Sequence, residues 1–124
     1  VSIAADYIAR TAPLPLFYGH TDCMPWVASL WREATGFDPA AELRGSYDTA
    51  FGGRRLLMAG GGLRAVARRQ MAGIPMGGDG DGICSAVAQG QTVAGILSGG
   101  RLWLKVDRGA IAPSEFKILD RWCF

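Results

Sequence analysis

The apolar periodicity of this chain changes once, across a glycine-rich stretch, and that change confines it to a narrow set of folds. Before Gly73 the apolar residues recur at three- and four-residue spacing; after Gly82 they alternate. Gly73–Gly82 itself holds five glycines, one proline and two aspartates, which is the composition of a loop. Beyond it, Ile83–Ala88, Thr92–Leu97 and Arg101–Val106 are separated by Gln89-Gly90-Gln91 and Ser98-Gly99-Gly100. Such short, glycine-bearing gaps predict an antiparallel meander with tight hairpins. Leu102, Leu104 and Val106 alternate with Trp103 and Lys105, which predicts one buried face. A turn over Gly109–Pro113 then leads to a closing strand, Lys117–Phe124, with Ile118, Trp122 and Phe124 on one side. Helices first and a small antiparallel sheet second define an α+β class. No repeat and no linker divides residues 1–124, so one domain is expected.

Four helices are expected before the loop. Residues 2–10 place Ile3, Tyr7 and Ile8 together, and Pro13 and Pro15 stop the helix. Residues 23–35 form the clearest helix, with Cys23, Val27, Leu30 and Ala34 in a stripe flanked by Trp26 and Trp31. Gly36 suits its C′ position, and Pro39 follows. A third helix begins after Ser46 and carries Tyr47, Ala50, Phe51, Leu57 and Met58. Gly52-Gly53 weakens it by about 1 kcal/mol per glycine. After Gly60-Gly61-Gly62, Leu63, Val66, Ala67 and Met71 mark a fourth.

Composition excludes several classes. With 49% hydrophobic and 19% charged residues, the chain is not of the disordered type. Its 124 residues suffice for a core without staples. No apolar run reaches the roughly 18–20 residues of a membrane span. Asp6 and Arg10 interrupt the opening apolar residues, so a signal peptide is not expected. Cys23, Cys84 and Cys123 are odd in number and widely spaced, fitting neither a disulfide framework nor a zinc site. A reducing compartment follows as the expectation. Asp79-Gly80-Asp81-Gly82 lacks the remaining ligands of a calcium loop, and the glycine clusters lack the Gly-Lys-Ser/Thr of a phosphate loop. No metal and no cofactor is expected.

The formal charge is only +2, but it is unevenly placed. Six arginines (44, 54, 55, 64, 68 and 69) and one acid, Asp48, lie between Arg44 and Arg69. That pattern reads either as solvated helix faces or as a docking surface for an acidic partner or nucleic acid. No nucleic-acid motif is present and only Phe51 interleaves the arginines, so nucleic acid is not expected.

The candidate chemistry lies in Tyr18-Gly19-His20-Thr21-Asp22-Cys23-Met24-Pro25-Trp26. Asp22 is a suitable N-cap, and Pro25 is tolerated among first-turn amides that lack intrahelical partners. A thiol there feels the positive helix end, which favours the thiolate. His20, the one histidine, lies three residues earlier and is the candidate base. The alternative is that His20 bonds within its turn and Cys23, on the apolar stripe, is an inert core thiol.

The Gly-x-x-Asp-Cys turn opening a helix rich in Trp, Val and Ala, with a small antiparallel sheet later, resembles the NlpC-type branch of papain-like cysteine peptidases. Many of that branch cleave the peptide stems of bacterial cell wall. More closely, the chain resembles a family of phage and prophage proteins related to that branch. The resemblance rests on Tyr18–Trp26, Arg44-Gly45-Ser46-Tyr47-Asp48-Thr49, Gly61-Gly62-Leu63, Ala94-Gly95-Ile96 and Arg121-Trp122. It implies a papain-like, NlpC-like domain over 1–124 with Cys23 at the nucleophile position. In active members a sheet strand carries the catalytic histidine in a His-Val-Gly-Ile-like stretch; this chain reads Val93-Ala94-Gly95-Ile96, with Val93 or Thr92 where the imidazole is expected. The usual third polar residue would fall in Arg101–Lys105, which offers no His, Asn or Asp. Three readings follow. The first is a non-catalytic virion protein of the tail tip or hub, assembled in the bacterial host cytoplasm and docked to other tail proteins through 44–69. The second is an active peptidase or amidase on peptidoglycan peptides, with Cys23 as nucleophile and His20 as base. The third is an assembly factor outside the particle.

Overall fold

The computed structural model describes residues 2–124. Four helices precede the sheet: α1 (Ile3–Thr11), α2 (Cys23–Thr35), α3 (Ala50–Ala59) and α4 (Leu63–Gln70). Five strands follow: β1 (Gly82–Ala88), β2 (Gln91–Ser98), β3 (Arg101–Val106), β4 (Gly109–Ile111) and β5 (Lys117–Cys123). The sheet is antiparallel with order β4-β3-β2-β1-β5. The fold is therefore α+β, as the change of periodicity predicts. The β4 strand lies inside the stretch read as a turn; three residues are too few for alternation to register.

Both hairpins of the meander turn on two residues, Gln89-Gly90 and Gly99-Gly100, all four at positive φ. That backbone matches the right-handed twist of the strands and leaves Gln91 and Ser98 free to join the ladder. The sheet buries both faces. On one side α1, α2 and α4 cover Ile83, Ala94, Ile96 and Trp122, which pack with Tyr7, Trp26, Leu30 and Trp31. Tyr7 Oη donates to the Trp26 carbonyl at 2.6 Å and Trp26 Nε1 to Thr11 Oγ1 at 2.8 Å, fixing α1 on α2. On the other side Cys84, Ala86, Leu97, Leu102 and Leu104 close against Phe116 and Ile118.

Three expectations about facing need correction. Lys105 is not an outward residue: it is 7% exposed, and its ammonium donates to the carbonyls of Leu14 (2.8 Å), Val106 (2.7 Å) and Ala12 (3.1 Å), with Asp107 at 3.3 Å. Those carbonyls, left over where α1 ends and β3 turns, are the partners that make burial of the charge tolerable. Val106, in contrast, is exposed. Ile118 and Trp122 do not share a face. The register shifts between Ser85 and Ala86, so that Ser85 pairs Asp120 while Ala86 pairs Ile118. One extra residue, Leu119, reverses the alternation there. Finally, α3 starts at Ala50 behind a Thr49 cap, later than expected, and none of its residues is buried.

Candidate functional site

Cys23 is the first residue of α2, where the sequence places it. Its neighbour Asp22 occupies the N-cap position but does not cap, because its carboxylate makes no bond into the first turn. It points back instead, accepting from Gly19 N–H (2.8 Å) through Oδ1 and from Tyr47 Oη (2.6 Å) through Oδ2. The turn is held from a second direction by Gly45 N–H donating to the Gly19 carbonyl at 3.0 Å. Gly19 has φ +87°, and a Cβ there would run into the Tyr47 carbonyl. Only glycine lets the two segments close.

Tyr47 also explains the glycines that weaken α3. Its ring lies against that helix: a Cβ on Gly53 would sit 3.0 Å from Tyr47 Cε2, and one on Gly52 3.3 Å from Tyr47 Cβ. The glycine pair, read from sequence only as a loss of helix propensity, is the space into which Tyr47 packs. The motif segments around Cys23, Tyr47 and Leu63 thus meet at one place, a half-open cavity of about 360 Å³ that also has Tyr18, Gln91, Thr92 and Val93 in its wall.

The electrostatics of the thiol run against the expectation from the helix dipole. Burial pushes the Cys23 pKa up, and the Asp22 carboxylate pushes it further; the amides of Cys23 and Met24 pull weakly the other way. The sequence argument counted the helix end and omitted the carboxylate that the turn folds beside it. His20 is exposed and lines a different cavity, with Tyr7, Thr11, Glu33 and Lys105. Among the described residues no hydrogen bond joins His20 to Cys23. Gln91, Thr92 and Val93, at the start of β2, are the sheet residues that share the Cys23 cavity. Asp81, singled out in the sequence as a calcium-loop look-alike, accepts from Gly99 N–H at 3.1 Å and closes the β2–β3 hairpin. No group of three or more His, Cys, Asp and Glu side chains converges among the described residues.

The arginines divide into two sets. Arg44 grips Asp38 through Nε (2.8 Å) and Nη2 (2.9 Å). Arg64 and Arg68 each hold the buried Asp120 with two bonds of 2.8–3.1 Å. Arg69 donates to the Gly60 carbonyl at 2.9 Å. Arg54 and Arg55 make no ion pair among the described residues. The two acids that pair with Arg44, Arg64 and Arg68, Asp38 and Asp120, lie outside the 44–69 segment, which is why local charge counting missed them.

Fold and site together define an α+β protein with a cysteine-led helix packed on an antiparallel sheet, its thiol facing a cavity that lacks an imidazole. The chain belongs to the family described as Domain of unknown function (DUF6950), which it matches over residues 2–122. No curated protein and no solved structure matches it. Among the described residues no helix is long and apolar enough to cross a membrane.

Proposed function

We propose that this is a non-catalytic binding protein built on an NlpC-like, papain-type scaffold, acting in a phage-type tail tip or hub. The observation that carries the non-catalytic part is the wall opposite Cys23. The sheet residues that share its cavity are Gln91, Thr92 and Val93, none of which has a basic nitrogen. Cysteine hydrolysis needs a base within reach of the thiol and a group that orients that base. Without one, the acid–base share of the acceleration, roughly 100- to 10,000-fold, is lost. Two further facts support the reading: the thiol's pKa is raised, and His20 lies along another cavity. The tail setting rests on the resemblance in the motif segments.

The test is muropeptide digestion by the purified protein. Product formation that is abolished by both Cys23→Ser and His20→Ala would establish the peptidase reading and overturn this one. The tail assignment is tested separately by mass spectrometry of purified particles; absence of the chain from them would favour an assembly factor.

A further inference from the structure

We infer that the outer face of α3 docks an acidic, amphipathic segment of a partner protein, an inference that rests on the binding role proposed above. Phe51, Arg55 and Met58 stand at i, i+4 and i+7 and so form one stripe along this helix. Phe51 is 63% and Met58 78% exposed, and no residue of α3 is buried. An ordinary solvated face carries charge, not a phenylalanine and a methionine flanking an arginine. The Arg55 guanidinium lies 5.8 Å from the centre of the Phe51 ring, so cation and apolar surface form one patch. Arg54, beside it, lines both the Cys23 cavity and an adjoining one of about 420 Å³ that includes Leu57, Met58, Gly61 and Gly62.

Charge selects the occupant. The other four arginines of the segment are engaged with Asp38, Asp120 or a backbone carbonyl, whereas Arg54 and Arg55 make no ion pair among the described residues. Arg54 and Arg55, which no carboxylate among the described residues reaches, therefore place free guanidinium groups on the helix that exposes the apolar side chains. A partner with carboxylates set between apolar side chains satisfies both features. A second copy of the same face would set arginine against arginine, and a nucleic acid would leave Phe51 and Met58 against phosphates.

The experiment uses fluorescence anisotropy with the full chain and two labelled synthetic helical peptides, one of Leu and Glu and one with Lys in place of Glu. The Glu peptide is expected to bind and the Lys peptide not. Arg54→Glu/Arg55→Glu should weaken the Glu peptide by about tenfold or more and transfer the preference to the Lys peptide. Phe51→Ala/Met58→Ala should weaken the Glu peptide by a similar factor while circular dichroism stays unchanged. Cys23→Ala should leave binding unaltered. Equal affinity for the two peptides, or affinity indifferent to the charge reversal, overturns the inference. So does tighter, Arg54/Arg55-dependent binding of a 20-base-pair duplex, or a dimer in sedimentation that Phe51→Ala/Met58→Ala dissolves. Cys23-dependent peptide hydrolysis with Glu-peptide binding intact would overturn the proposed function and leave the docking face standing.

Discussion

Cys23 shows how burial and one neighbouring carboxylate together reverse a local electrostatic argument. A helix N-terminus lowers a thiol pKa by its partial positive charge, an effect of order 1 kcal/mol that fades within a turn. Burial of the thiol and the carboxylate folded beside it oppose it, and they win. Alkylation of Cys23 by iodoacetamide at pH 7 should therefore be slower than that of a model peptide thiol, rising only at alkaline pH. Asp22→Asn should speed it by removing the negative charge; a rate at or above the peptide's in the unmodified protein would refute this account. Asp22 itself is committed to structure by two hydrogen bonds. Tyr47→Phe, which removes one of them from a nearly buried carboxylate, should lower the unfolding free energy by about 1.5–3 kcal/mol in urea denaturation.

At the scale of elements, α3 and the β1–β2 hairpin carry opposite lessons about glycine. In α3, Gly53→Ala gains about 1 kcal/mol of helix propensity but presses on the Tyr47 ring, 3.0 Å from the new Cβ. The substitution should therefore be neutral or destabilising in the natural chain and stabilising by about 1 kcal/mol once Tyr47→Ala has opened the space. Equal effects in the two backgrounds would disprove the packing explanation. In the hairpin, Gln89 takes φ +53°, a conformation that its side chain disfavours. Gln89→Asn should raise thermal stability by about 0.5–1 kcal/mol, because asparagine suits the first central position of a type I′ turn.

For the molecule as a whole, Asp120 is the bolt between the helical layer and the sheet. It sits on β5 with its side chain 4% exposed, and Arg64 and Arg68 of α4 hold it well below the usual carboxylate range. A depressed folded-state pKa contributes stability above the unfolded-state value of about 3.9, and that contribution is lost as pH falls through the interval beneath it. Asp120→Asn should cost about 2 kcal/mol at pH 7, less than for a deeply buried pair because both arginines are half-exposed. The gap between natural and substituted chains should narrow progressively as pH falls below about 4, with much of it still present at pH 3 because the folded carboxylate stays ionised there. A gap that is the same at pH 5 and pH 2 would assign the cost to packing alone.

Much of this architecture is legible in the sequence because it depends on local physics. The switch of period, the bounds of α2, the glycine turns and the four longer strands each follow from a preference acting over a few residues. The sequence also selects Cys23, Tyr47 and Gly61-Gly62-Leu63 as segments to watch, without indicating that they surround one cavity. Only the tertiary structure decides what each group faces. It turns Asp22 away from its cap, buries the Lys105 ammonium among carbonyls and reverses the β5 faces through one extra residue. It also leaves Phe51 and Met58, two apolar residues of α3, in solvent. Spacing indicates which residues share a side only where an element is regular, which β5 is not, and burial and the pKa of a thiol depend on the surrounding tertiary structure. The helix start at Asp22-Cys23 is thus legible from its own residues, whereas the chemistry of Cys23 is set by what folding places around it.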